Sequence, residues 1–470
     1  MSATSTEQQD LAPLVAQAVL RARDSVTVEV AERARHLVLD GLGCGLAAQA
    51  RAMANPLLAG LHAWHDPGNH VVIGARKRLS ARDAALANGS LMHCLEFDDV
   101  HMASVMHLTC AILPAAMATG VHAERSGHDV LFAYIAGMEV AARLGQADGA
   151  GFQAKGFHPT SVVGIFGAAC TSALLMGAGA EQLQRTVGIA LSFASGAMQF
   201  LQGGGTTKRL HPGWAAQSGM SAAMMAMQGV EAPTGALEGS FGLYRTFLGR
   251  AIDRDALADS LAQTGHRWET LDIAIKPFPS AYYGHACVEA AIELAHYDNL
   301  HLHDIEAIAA HIPEQVLPKI GEPLAAKQRP MTSAAAQFAL PYLVAAGLTR
   351  RQLTLAELDS DARDDPAIVA LAARVRCVGE SGTAFPRVYP GGLTLTLKNG
   401  HTLSKHIAVN LGAVERPIAN SFIVEKFVRS LAVPGVPGST ERASTLARGL
   451  LELDSAAHMQ RYMQQLVGPA

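Results

Sequence analysis

The chain reads as a mainly α-helical fold: a large helical domain into which a smaller α+β domain is inserted. Three observations predict this. Apolar residues recur at helical spacing from Leu11 to about Trp268. Short alternating segments cluster in 272–410. The helical pattern then returns from about Leu411 to the end. The domain reading is therefore 1–271 (first helical part), 272–410 (α+β) and 411–470 (second helical part). With 470 residues, 49% of them hydrophobic, the chain can bury a large core.

The first ten residues, MSATSTEQQD, are polar and read as disordered. They lack the basic and apolar regions of a secretory signal. In Leu11–Ala50, Val30, Ala34, Leu37, Val38 and Leu42 share one helical face. Within it, Asp40-Gly-Leu-Gly-Cys-Gly45 superficially resembles a nucleotide loop. No strand precedes it, so close helix packing explains the glycines better. His70–Gly74 is a short extended segment, and Ser80 is an N-cap for a helix over Ala81–Leu95.

Between His93 and Ala118, Glu96, Asp98, Asp99, His101 and His107 crowd the end of one apolar helix and the start of another. Carboxylates and histidines together supply general acids and bases. A polar loop with capping aspartates is the alternative. Pro114 should limit or kink the second helix. Gly127–Gly145 is a further apolar helix, with Glu139 and Arg143 at i,i+4.

The stretch Gly156–Ala169, GFHPTSVVGIFGAA, holds His158 directly before Pro159. Proline suits a first helical position, so His158 is expected at a helix N-terminus, where the dipole disfavours its protonated form. It is either a base that is neutral near pH 7 or a simple cap. Ala180–Ala197 is helical, and Gln199–His211 follows with Gly203–Gly205, Lys208 and Arg209. The glycines allow close backbone approach and the basic pair supplies charge, which suits a small carboxylated ligand; a solvated surface turn is the alternative. The Walker A spacing is absent.

Past Trp268, Asp272–Ala274, Ile305–Ile312 and Val375–Gly379 read as strands. Lys276–Gly284 leads into a helix beginning at His285, and Met331–Leu348 is an apolar helix carrying Gln337, Pro341 and Tyr342. Leu393–Leu397 and Thr402–Val409 flank Lys398-Asn-Gly400 and form a hairpin.

A formal net charge of −4 gives no footprint for nucleic acid, and no apolar run is long enough for a membrane span. The six cysteines are scattered, with no CxxC pair, so free thiols in a reducing cytoplasm are expected. No metal-ligand spacing of the HExxH kind is present, so no metal and no cofactor are expected.

GFHPTSVVGIFGAA, the LEFDDVH segment with His107, KPFPSAYYGHACVEAA and QFALPYLVAAG together resemble the MmgE/PrpD family, in order and over essentially the whole chain. That family includes 2-methylcitrate dehydratases, cis-aconitate decarboxylases and iminodisuccinate epimerases. The resemblance implies a helical domain with an α+β lid, a homodimer, no cofactor, and a site between the domains. Carried over by position, it implies catalytic roles for His158, His107, Tyr342 and Glu96. It also implies Asp98, Lys208 and the neighbourhood of His285 as site positions; with the basic residues Arg209 and Lys276, these are the residues expected to bind substrate. Glu96 replaces an aspartate of the decarboxylase, Val100 a threonine, and Ala281 a residue that is often Cys or His in relatives. The implied activity is a cofactor-independent lyase on a small di- or tricarboxylic acid. A 2-methylcitrate/citrate-type dehydratase is the first expectation; an epimerase of an iminodisuccinate-like acid or a cis-aconitate decarboxylase is the alternative.

Overall fold

The computed structural model describes residues 10–64, 66, 68–202, 205–298, 300–432 and 436–468. The N-terminal stretch 1–9 and the first two glycines of the Gly203–Gly205 triplet lie outside the described residues. The fold is mainly helical with a small mixed sheet.

The first helical stretch forms two helices, Ala12–Ser25 and Val28–Ala50. Asp40–Gly45 lies inside the second and is wholly buried. A Cβ on Gly41 would come 2.8 Å from Thr109, and one on Gly43 would come 2.7 Å from the Phe427 ring. These glycines serve helix contact. Ser80 caps the helix Ala81–His93, its hydroxyl accepting from the Asp83 N–H. That helix crosses Leu210–Met227 at backbone contact. A Cβ on Gly89 would lie 2.7 Å from the Gly213 Cα, and one on Gly213 would lie 2.1 Å from the Leu86 carbonyl oxygen.

Two expectations about proline come out differently. Pro114 does not end its helix, which runs unbroken over Leu108–His122. The carbonyl that Pro114 cannot bond is that of Cys110, and it faces the same glycine crossing, 2.8 Å from where a Gly89 Cβ would stand. The stretch Met331–Leu348 is not one helix. It divides into Ser333–Ala336 and Leu340–Arg350, with Pro341 in the first turn of the second, where its missing N–H costs nothing. The helix begun at Ala180 stops at Leu191.

A fully buried ion pair links the helices to the start of the mixed region. Arg143 holds Glu139 at 2.5 Å, and Glu139 also accepts from the Thr270 N–H at 2.8 Å and the Glu269 N–H at 3.1 Å. Just beyond, a two-residue strand that the sequence reading missed, β1 (Val100–His101), pairs antiparallel with β2 (Ile273–Ala274). This pairing brings Lys276 beside Glu96.

The remaining strands, β3 (Ile305–Pro313), β4 (Val375–Glu380), β5 (Gly391–Leu397) and β6 (Thr402–Ile407), form one sheet in the order β4-β3-β5-β6. The β3–β4 pair is parallel and the other two pairs are antiparallel. Helix His285–Leu294 packs on β5 and β6, and Leu340–Arg350 packs on that helix. The chain then returns to the helical part. Helix Asn420–Leu431 lies on Val28–Ala50, with Lys426 bound to Asp40 at 2.7 Å. Among the described residues, no helix is long and apolar enough to cross a membrane.

Candidate active site

Several chain segments converge on one buried cluster, and most of them do so at helix ends. His93 is the last residue of Ala81–His93, and Glu96 follows in the turn, with a left-handed φ of 52°. That conformation is strained for a residue with a Cβ, and strain of this kind collects at functional sites. His107 is the N-cap of Leu108–His122, its backbone N–H donating to Thr160 Oγ1 at 3.1 Å. His158 precedes Pro159 in extended backbone, and its N–H donates to the Gly196 carbonyl at 2.8 Å. The helix it caps is only one turn, Pro159–Val162, before a break and a new helix from Gly164. Lys208 and His211 come from the start of Leu210–Met227 and the turn before it. Lys276 follows β2.

Glu96 is the electrostatic centre. One oxygen accepts from Lys276 Nζ at 2.9 Å and the other accepts from Lys208 Nζ. Burial alone would raise its pKa, but Lys208 and then Lys276 hold it well below the ordinary carboxylate range. Burial likewise works against the Lys276 ammonium, and Glu96 overrides it and raises that group. Asp98 is fully buried and stays ionised because His93 and His107 face it, overriding burial.

The hydrogen bonds fix the histidine tautomers. His93 Nδ1 donates to Asp98 at 2.7 Å, which leaves Nε2 to accept from Lys208 Nζ at 2.8 Å. His107 Nδ1 donates to the Asp99 carbonyl at 2.8 Å, so its basic Nε2 faces Glu96, 3.9 Å away. His158 Nδ1 lies 3.1 Å from His211 Nδ1, so one proton is shared between these rings. All four histidines are pushed toward the neutral form. Burial is the main cause in each; Asp98 opposes it at His93 and His107, whereas Lys208 adds to it at His158, and His211 falls to about 4. Burial and then Lys208 keep His158 uncharged.

His93, His107 and His158 offer nitrogens that lie within 4.8 Å of one another, an array a metal could use. Two lysine ammonium groups share this space, and one is already hydrogen-bonded to His93. A divalent cation would meet that positive charge at close range. The donor set fits proton transfer better.

Glu96, His107, His158, Lys208, Lys276 and Tyr283 line an inner pocket of about 40 Å³. An outer cavity of about 1080 Å³ adjoins it and shares Glu96, Lys208, Lys319 and Phe338 as walls. Of the other expected site residues, Arg209 lines only the outer cavity, where it donates to the Met53 carbonyl at 3.3 Å. Asp98 stands behind the histidines. His285 does not reach the pocket: its Nε2 pairs with the Ser280 carbonyl at 3.1 Å and its ring backs Tyr282. Tyr342 is also placed elsewhere, buried beside the sheet, with its hydroxyl donating to the Glu357 carbonyl at 2.5 Å. The hydrogen bond fills the role that solvent or substrate would otherwise take. Sequence reasoning passed over His93, His211, Tyr283 and Lys319. His93 and Glu96, three apart at a helix end, were a readable signal; the other three carry none.

Residues 9–254 match the MmgE/PrpD N-terminal domain, and residues 278–452 match the MmgE/PrpD C-terminal domain. The chain belongs to the MmgE/PrpD family. Among curated MmgE/PrpD relatives, it is 28% identical to the cis-aconitate decarboxylase-like protein oryM of Aspergillus oryzae, over 94% of each chain. It is 28% identical to a cis-aconitate decarboxylase of Aspergillus terreus, over 87% of this chain and 86% of that one. The Mus musculus cis-aconitate decarboxylase is 25% identical, over 93% and 90%.

Lys208→Ala is expected to weaken binding of an anionic substrate. A charge-assisted hydrogen bond contributes on the order of 1.5–3 kcal/mol, or roughly 10- to 150-fold in affinity. Calorimetric titration with a carboxylate ligand checks this, and wild-type affinity in the variant would remove Lys208 from the binding site.

Proposed function

We propose that this MmgE/PrpD protein is a cofactor-independent lyase that acts on a small tricarboxylic acid. His107 carries the reading. It is buried and uncharged, its tautomer is set by the Asp99 carbonyl, and its basic nitrogen shares a pocket with two lysines. A proton next to a carboxylate is weakly acidic, and its removal spreads negative charge onto that carboxylate. Lys208 is placed to neutralise the charge as it forms. His107 accepts the proton, and His158, resupplied through His211, delivers one.

Two reactions draw on these groups: decarboxylation on Lys208 and the His158 proton, dehydration on the His107 base as well. In decarboxylation the bond to a carboxylate breaks, CO2 leaves, and the electron pair left on the chain takes the proton from His158. The names of the relatives favour this reaction. In dehydration His107 removes the C–H proton while the hydroxyl leaves with the His158 proton, and the His158–His211 pair supports that step equally. The segment 272–410 is proposed as the lid, since Tyr283 and Lys319 from it close one side of the pocket. The homodimer is likewise a proposal, for light scattering to test.

The test is incubation with cis-aconitate, citrate and 2-methylcitrate after exhaustive EDTA dialysis, with CO2 and unsaturated acids both measured. Turnover of a tricarboxylate, undiminished by chelation, is expected. CO2 from cis-aconitate selects decarboxylation, and water loss from a hydroxy acid selects dehydration. Deuterium exchange from D2O without net product would indicate an isomerase. Activity lost to EDTA and restored by one particular metal would overturn cofactor independence.

A further inference from the structure

Two lysines of the outer cavity stand outside salt-bridge range of every carboxylate among the described residues. Lys319 lies on the short helix Leu317–Ile320, and Lys327 lies on Leu324–Gln328. Lys319 Nζ donates to Gln153 Oε1 at 2.7 Å and lies 5.0 Å from the centre of the Tyr283 ring. Lys327 Nζ donates to the Lys319 carbonyl at 2.8 Å. Among the described residues, neither has a carboxylate within 4.0 Å. Lys208 and Lys276, in contrast, already share Glu96.

Position gives this pair a role. The inner pocket has room for roughly three water-sized groups, enough for one end of a polycarboxylate. The rest of such a molecule must extend into the outer cavity. Lys319 lines both spaces, as Lys208 does from the helical side, and Lys327 lines the outer one. A chain acid entering between them meets one ammonium at its reacting end and another at its far end.

We propose that Lys319, backed by Lys327, is a second carboxylate subsite that selects substrates bearing a carboxylate remote from the reacting one. The inference rests on the lyase reading above and adds a specificity determinant to it. Burial without a counter-ion pushes both lysines down to about 8. A bound carboxylate would draw each back up, so binding near pH 8 takes up protons. The other titratable or charged groups around the pair are Tyr283, Cys377, Glu322, Arg209, His93, Cys94 and the Glu96–Lys208 pair, with His107, His158 and Lys276 across the inner pocket from Lys319. Burial holds Tyr283 well above the ordinary tyrosine value and Cys377 up at about 12, so neither titrates at pH 8.

The experiment is calorimetric titration of the full chain with two non-reacting probes: propane-1,2,3-tricarboxylate and butanoate, which has a single carboxylate and therefore none remote from it. Wild type, Lys319→Gln and Lys327→Gln are compared in buffers of different ionisation enthalpy. Lys319→Gln is expected to weaken the tricarboxylate by roughly 10- to 150-fold and butanoate far less, and to abolish most of the proton uptake. Lys327→Gln should have a smaller effect in the same direction. Tight tricarboxylate binding that Lys319→Gln leaves unchanged, or an equal loss for both probes, overturns the subsite while leaving the lyase reading in place. A wild-type protein that binds neither probe overturns both.

Discussion

Replacing either His107 or His158 by glutamine is expected to lower turnover by about 10²- to 10⁴-fold, the usual contribution of a general acid or base. Glutamine keeps a polar side chain of similar reach, so the fold and much of the substrate binding should survive. The pH profile supplies a sharper check. A base must be unprotonated, so its rate falls as pH drops through its pKa. His107, the base, is depressed by burial against the pull of Asp98. The wild-type rate should therefore stay level as pH falls past about 6.5, the ordinary histidine value, and fail only in more acidic solution. Measuring kcat from pH 8 downward tests this. A limb centred at the ordinary histidine value would assign the base to an exposed group. Near-wild-type turnover in His107→Gln would pass the base role to another residue.

The second large effect belongs to Glu96. Glu96→Gln keeps the shape but removes the charge that two lysines share. Lys276 has no solvent exposure, so its ammonium would be left buried without a counter-ion. Breaking a buried pair from one side costs about 3–5 kcal/mol, and the thermal midpoint should fall by several degrees. The sign of the pH dependence follows from the depressed pKa of Glu96. Its contribution is fully present above about 4.3, the unfolded glutamate value, and is lost as pH falls from there toward the folded value. Wild type and Glu96→Gln should converge in stability in acid and differ most near neutrality. Adding Lys276→Met to Glu96→Gln should recover part of the loss, because it removes the orphaned charge. A single variant as stable as wild type at pH 7 would mean that Lys276 discharges at little cost.

What could be read from the sequence was mostly local. The Ser80 cap, Pro159 as a first helical residue and the Lys398-Asn-Gly400 hairpin each depend on a few adjacent residues, and the structure has all three. The buried glycines of Asp40–Gly45 were legible because no strand preceded them. Features set by distant contacts were not legible. The β1–β2 pairing joins residues more than 170 positions apart. Pro114 is carried through its helix by a crossing that involves Gly89 and Gly213. Tyr342 lies in a stretch that resembles the family, but its hydroxyl is spent on Glu357, 15 residues later in the chain. Lys319 and Lys327 sit in short helices with no motif, and their meaning depends on having no carboxylate within salt-bridge range among the described residues.

The crossing at Gly89 and Gly213 bears on how mutational data from this protein should be interpreted. Gly89 is four residues before His93 on one helix, and Gly213 is two residues after His211 and five after Lys208 on the other. Two backbones with nothing between them act as a mechanical stop that sets how far Lys208 stands from His93. A methyl group at either position would spread the stop and pull the lysine from its histidine, with every reacting group still present. An activity-only screen would rank these glycines with the acid–base residues, although neither carries a proton or touches a ligand. Separating the two kinds of position takes a measurement of distance, such as the Lys208–His93 hydrogen bond seen through the histidine nitrogen shifts.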